Sequence, residues 1–195
     1  MLILFMGCNE MSALDENPNQ PDVFSVQSND FVNTGVLPAQ FLHALPGQCS
    51  GDNDFPHLSW LNAPEGTTSF VIIVEDLSAQ QGTGENWVHL NLYNIPSSVT
   101  GFEALESVST GVFMEVSFPE GAVGDNSWLG NSGIPNGWGG PCPPFGMHVY
   151  SFGVFAMSTT LPSPLNNVSI SEFEAAHSQD ILGFTSISSI VLVTQ

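Results

Sequence analysis

Residues 69–74 read Ser-Phe-Val-Ile-Ile-Val, an apolar and largely β-branched run without alternation. So short a run suits a strand rather than a helix, and the missing polar face predicts a strand buried on both sides. Trp87–Ile95, closed by Pro96, and Met147–Met157 are two further strong strand candidates, and Ile187–Val193 reads as a final strand. Short strands are expected within Phe31–Leu42 around a Gly-Val-Leu-Pro turn, with polar loops over Gln48–Phe55 and Leu77–Asn86. Nineteen Gly and 14 Pro, about a sixth of the chain, fit many turns between short strands. Ser171-Glu172-Phe173-Glu174 fits a capping box, which predicts a short helix running to about His177. Strands dominate and the helices are few and late, so the expected class is mainly β and sandwich-like.

The 195 residues suit one domain with one core, and a hydrophobic fraction of 42% can fill it. We place that domain at residues 22–195. Residues 1–21 read as an apolar start followed by a polar tether. No internal repeat is visible. There is no run of 18 apolar residues that would span a membrane.

Charge sets the next constraint. The chain has 19 acidic residues, no Lys and no Arg, for a formal charge of −19. An ordinary domain of this length carries roughly two dozen basic residues. A carboxylate here has no cationic partner except a protonated His or a metal ion. Self-repulsion should relax with salt and with acid, so greater stability is expected near pH 5 than near pH 8. Nucleic acid and anionic lipid surfaces are excluded as partners, since both need Lys or Arg against phosphate.

The segment Met1–Gly7 is apolar and leads directly into Cys8. This resembles the end of a bacterial lipoprotein signal, with Cys8 as the lipidated residue, though the apolar run is short and the basic start is missing. The alternative is a frayed start with an incidental Cys. On the first reading the protein is exported, as a periplasmic or cell-envelope lipoprotein whose only membrane link is that anchor; otherwise it is cytoplasmic. Cys49 and Cys142 belong to no C-x-x-C pair and have no His at metal-finger spacing. In an exported protein they could pair as a disulfide; the other reading is two separate buried thiols.

Polar residues interrupt the apolar strands at telling places. Asp76 follows the buried run where a strand would emerge into a loop. Alternation places Trp87, His89 and Asn91 on one face, and His148 and Tyr150 on one face. Burying such groups without partners costs roughly 1–3 kcal/mol each, so each needs a hydrogen bond or a ligand. Singly, each reads as an ordinary core or turn residue, and Trp60, Trp87, Trp128 and Trp138 read as packing residues. The long Gly121–Pro144 segment has little periodicity, and a loop of that length inside a domain is usually functional.

Several ordered pieces then carry a family resemblance. They are Pro56-His57-Leu58-Ser59-Trp60, Ser69-Phe70 leading to Glu75-Asp76, and Trp87-Val88-His89 with Asn94-Ile95-Pro96. Gly139-Gly140-Pro141-Cys142-Pro143-Pro144 and Gly146-Met147-His148-Val149-Tyr150 complete the series. Over about Phe31 to Ile190 the chain resembles the phosphatidylethanolamine-binding protein family, its bacterial branch in particular. The resemblance implies a β-sandwich-like fold with a small anion-accepting pocket formed by Asp76, His89, Pro143, Pro144, His148 and Tyr150. It also implies a phosphate-bearing ligand and, in some members, a kinase or protease as protein partner. The chain departs from the family pattern in two places. Asp76-Leu77-Ser78-Ala79-Gln80 lacks two prolines and a second Asp, which predicts a looser loop. Val149 stands where an Arg is usual.

In this picture no cofactor is needed and the protein is not an enzyme. Protonated His89 and His148, raised by Asp76, would supply the positive charge for an anion, with binding improving toward pH 5.5. Two other classes stay open. Asp76, His89 and His148 could form a two-His, one-carboxylate metal site or an acid/base pair of a hydrolase. Alternatively, the Gly121–Pro144 segment could bind a protein without any use of the pocket. Asp52-Asn53-Asp54 hints at a calcium loop, but Ala63 occupies the position of its closing Glu. Asn167-Val168-Ser169 matches a glycosylation acceptor, a weak signal.

Overall fold

A computed structural model describes residues 22–45, 49–79, 86–110, 114–128 and 137–193. Thirteen strands occur among them: β1 Ser25–Gln27, β2 Gly35–Val36, β3 Ala44–Leu45, β4 Cys49–Ser50, β5 Leu58–Leu61, β6 Ser69–Asp76, β7 Trp87–Pro96, β8 Gly101–Phe102, β9 Val108–Ser109, β10 Met114–Glu115, β11 Ala122–Val123, β12 Gly146–Met157 and β13 Ile181–Val193. An α-helix, α1, spans Ile170–His177. The apolar start, the polar tether and Cys8 lie outside the described residues, as does Gln80.

Six strands form the main sheet in the order β11-β7-β6-β12-β13-β2, antiparallel except where β13 meets β2. A three-stranded sheet, β1-β5-β8, faces it. Phe70, Ile72, Val74, Leu90, Phe152 and Val154 of the main sheet pack there against Leu58, Trp60 and Phe102 in one core. A second core covers the opposite face, where Val71, Ile73, Phe155 and Met157 meet Leu161, Leu165 and Phe173. Every residue of β6 is buried, as its unbroken apolar run requires, because the sheet has a layer on each side.

Where the chain departs from the expected elements, local physics explains it. The capping box is Ser169 with Glu172, not Ser171 with Glu174: the Ser169 hydroxyl accepts from the Glu172 N–H, and the Glu172 carboxylate accepts from the Ser169 N–H. Both Ser-x-x-Glu frames satisfy the pattern, and burial of Phe173 and Ser169 selects the earlier one. Residues 31–42 contribute only β2 and a 3₁₀ turn at Ala39–Phe41 after Pro38. The last strand begins at Ile181 rather than Ile187, its first half lying at the surface.

β7 is not a regular strand. Val74 pairs with Leu90 and Glu75 with Val88, so His89 is an extra residue opposite the bend between them. Its consequence is that Val88 belongs to the second core while Leu90 and Leu92 belong to the first. Asn91 therefore sides with the helix layer, donating to the Val168 carbonyl and accepting from the Val168 N–H. The expected common face of Trp87, His89 and Asn91 holds for the first two and fails for Asn91, because a bulge shifts the period by one residue.

Candidate functional site

The ends of β6, β7 and β12 meet in one row. Asp76, the last residue of β6, lies across from Tyr150 on one side and Trp87 on the other. His148 lies two residues before Tyr150 on β12, beyond the end of β6, and reaches back to Asp76. Its Nδ1 is 2.6 Å from the Asp76 Oδ2, the one ion-pair contact among the described residues. The other carboxylate oxygen accepts from the backbone N–H groups of Ser78 (2.8 Å) and Ala79 (3.1 Å). The buried Tyr150 phenol lies on the strand pair across from Asp76 and feels its charge. Asp76 is only 6% exposed, so a buried carboxylate is held by backbone and imidazole donors in a chain that has no Lys or Arg.

This arrangement also answers the loss of the prolines after Asp76. The carboxylate closes an Asx-type turn over Leu77–Ala79, and the Ser78 hydroxyl accepts from the Val149 N–H at 3.0 Å. Through Ala79 the loop is tied down by these bonds rather than loosened by the missing rings.

His89 is fixed from the other side. Its ring contacts Trp128, Trp138 and Tyr150, and its Nδ1 donates to the Gly139 carbonyl at 2.5 Å. Only glycine fits at 139, since a Cβ there would lie 2.5 Å from the Trp128 ring. With Nδ1 committed as donor, Nε2 carries the lone pair, and it is buried without a hydrogen-bond partner. Burial, opposed by the Gly139 bond and the Asp76 charge, lowers the His89 pKa from 6.5 to about 4. His89 is therefore neutral at pH 5.5, and the expectation that it supplies positive charge there is corrected. Desolvation outweighs the nearby carboxylate. Burial also raises the Tyr150 phenol above its ordinary value, with the Asp76 charge adding to the effect.

Asp76, His89, Pro143, Pro144, His148 and Tyr150 all line one pocket of about 800 Å³. Trp87 and Trp128, read from sequence as packing residues, also stand in its wall, in T-shaped contact with ring centroids 5.4 Å apart, whereas Trp60 and Trp138 are core residues. Ser78, Cys142, Phe145 and Met147 also stand in the wall and rim. Their signal was the ring of pocket residues adjoining them in sequence. Phe145 and Met147 are each 59% exposed at this rim.

Other candidates have structural roles. Cys49 and Cys142 are joined as a disulfide with Cα atoms 5.8 Å apart. Asn53, at the centre of the supposed calcium loop, is buried and accepts from Gly140 N–H at 2.7 Å and from His43 Nδ1 at 3.0 Å. Asp54 accepts from the Ser107 N–H. Asp76 and His148 bond to each other instead of converging with His89, and among the described residues no three His, Cys, Asp or Glu side chains are grouped to hold a metal ion. Asn167 is exposed, but Ser169 of its acceptor triplet is consumed by the helix cap.

The two-layer β fold and the cluster at its strand ends define a family of binding proteins. The model of the phosphatidylethanolamine-binding protein family matches residues 27–190, and the chain belongs to that family. It is 36% identical to the UPF0098 protein YbcL of Escherichia coli over 142 residues, 72% of each chain. A UPF0098 protein of Aquifex aeolicus is 36% identical over 138 residues, 70% of this chain and 69% of its own. The crystal structure of E. coli YbcL, described as a new member of the mammalian PEBP family, superposes with a TM-score of 0.71 at 28% identity, covering 88% of this chain and 99% of that one. A PEBP homologue from Chlamydia trachomatis, CT736, shares the fold at a TM-score of 0.63 and 22% identity, covering 88% and 98%.

Proposed function

We propose that the chain is a binding protein whose pocket takes the monoprotonated phosphate group of a small ligand. The observation that carries this reading is the buried, unpartnered Nε2 of His89 beside the Asp76–His148 pair. A lone pair there asks for a hydrogen-bond donor, which a P–OH group supplies and a fully ionised phosphate does not. With Nδ1 of His148 turned to Asp76, its Nε2 can donate to a phosphoryl oxygen when the ring is protonated. The −19 charge opposes a dianion more than a monoanion, so affinity is modest and falls as the phosphate loses its last proton, near pH 6.

The measurement is calorimetric titration of phosphoethanolamine, a monoester whose last P–OH ionises near pH 6, at pH 5.5 and 7.5. Binding at pH 5.5 that weakens at least fivefold at pH 7.5, and is lost in His89→Phe, is expected. No binding at pH 5.5, or tighter binding at pH 7.5, refutes the reading. A second reading, contact with a protein partner such as a kinase or protease, draws support from the exposed rim side chains Phe145 and Met147. We further propose an exported location, because disulfides form and persist in oxidising compartments.

A further inference from the structure

The segment that forms the pocket's outer wall is held unevenly. From Gly137 to Pro141 it is bound by hydrogen bonds at every residue. Gly139 N–H donates to the His89 carbonyl (3.1 Å), Gly140 N–H to Asn53 (2.7 Å), and the Pro141 carbonyl accepts from His43 N–H (3.0 Å). From Gly146 the chain enters β12 and its ladder with β13. Between these anchors lie Cys142, Pro143, Pro144 and Phe145, all lining the pocket. Neither proline has an N–H to donate. Among the described residues, the bond from Cys142 to Cys49 is the one covalent or hydrogen-bonded link recorded for this stretch outside the strand ladder.

Its other end is the fixed one. Cys49 belongs to β4, a two-residue strand paired with β3, and the chain after it is tied back by Gly51, Asp52 and Asn53 N–H groups donating to the His43, Gln40 and Leu42 carbonyls. Neither cysteine is sealed in the core, and access from solvent is what an attacking thiolate requires.

We propose that the Cys49–Cys142 disulfide is a redox latch on the ligand pocket. An external dithiol opens it by ordinary exchange. One thiolate attacks a cystine sulfur to give a mixed disulfide, and the second thiol resolves it. Two electrons pass to the protein, leaving Cys49 and Cys142 as thiols and the reductant as its own disulfide. Once freed, the Pro143-Pro144 unit swings on its two ends, the wall no longer faces Asp76 and His89, and ligand affinity falls. The affinity part rests on the ligand reading above; the release of the wall does not.

The full chain is compared oxidised, reduced with dithiothreitol, reoxidised, and as Cys49→Ser. Two readouts are taken: the NMR order parameters of the Cys142 and Phe145 amides, and titration with inorganic phosphate at pH 5.5. Reduction is expected to lower those order parameters from about 0.85 to below about 0.6 while β6 amides stay rigid, and to weaken phosphate binding at least tenfold. Reoxidation restores both in the unmutated chain and neither in Cys49→Ser. Unchanged order parameters at Cys142 and Phe145, or phosphate affinity within twofold of the oxidised form, overturns the latch. If the oxidised chain takes no phosphate yet the order parameters fall on reduction, the ligand reading fails and the latch stands. Should reduction expose β6 as well, Pro144→Gly in the oxidised chain replaces it. A looser wall must then weaken phosphate binding, and unchanged binding overturns the proposal.

Discussion

His89 makes the stability of this protein fall in acid, and the size of the fall can be worked out. Its folded pKa is about 4 against 6.5 for the free side chain. Above pH 6.5 the ring is neutral in both states and contributes no pH dependence. Below it the unfolded chain gains a proton that the buried ring refuses, so stability is lost progressively until pH falls through 4. At about 1.4 kcal/mol per pH unit the complete loss is roughly 3.4 kcal/mol, and about 2 kcal/mol of it is reached by pH 5. His43, buried and bonded to Asn53, has its pKa lowered by the same desolvation and acts in the same direction. These two rings oppose the acid-side gain expected from relief of the acidic charge. The perturbation is His89→Gln, which keeps a neutral donor for the Gly139 carbonyl. Urea unfolding is followed by tryptophan fluorescence at pH 7.5 and 5.0 in both proteins. The unmutated chain should lose about 2 kcal/mol more than the variant between those two conditions. A difference below about 0.5 kcal/mol, or an NMR titration of His89 with a midpoint near 6.5, would refute the argument.

Three further outcomes are expected. Glu75 is buried, accepts from the Ile170 N–H, and has its pKa raised by burial against that bond, with Glu172 and Glu174 adding repulsion. A raised carboxyl pKa means stability present at low pH and lost as pH rises through the folded value, so Glu75→Gln should stabilise the chain at pH 8 and not at pH 4 in paired urea melts. Ser169→Ala removes the cap of α1 and should cost about 1 kcal/mol by the same assay, with little change if the cap is idle. Melting temperature at pH 8 should rise as sodium chloride goes from 0.1 M to 1 M, because the Debye length shrinks from about 10 Å to about 3 Å; a flat or falling curve would show that self-repulsion is minor.

The strands that carry the site were legible because each holds enough apolar residues to fill a core face. β6, β7 and β12 each bury a core face, and that necessity is written into residues 70–74, 88–95 and 150–157. The six candidate pocket residues, including the Pro143-Pro144 pair, could be proposed together only through the ordered family resemblance. Less legible was anything decided by one hydrogen bond. The bulge at His89 leaves no mark in hydropathy, so alternation assigned Asn91 to the wrong face. Two overlapping Ser-x-x-Glu frames could not be separated before Phe173 was seen to be buried. Trp87 and Trp128 read as packing residues because an aromatic side chain carries no label for core or wall. Asp76 closing its own turn could not be foreseen from the loss of two prolines, since the compensation lies in backbone N–H groups that every sequence possesses.

The bulge in β7 has a consequence for how this pocket can vary. Residues before it and residues after it are read in different frames. Trp87 and His89 serve the ligand side, while Leu90 and Leu92 serve the sandwich interior, and the extra residue keeps both sets on the same side of the sheet. Recognition and packing are thereby uncoupled along one continuous strand. Substitutions at 87 or 89 can retune what is bound without moving the interior. Deleting the extra residue would instead restore plain alternation, with Trp87, Leu90 and Leu92 still on one side and Val88 and Asn91 on the other, so the interior would keep its frame while the pocket lost its buried imidazole.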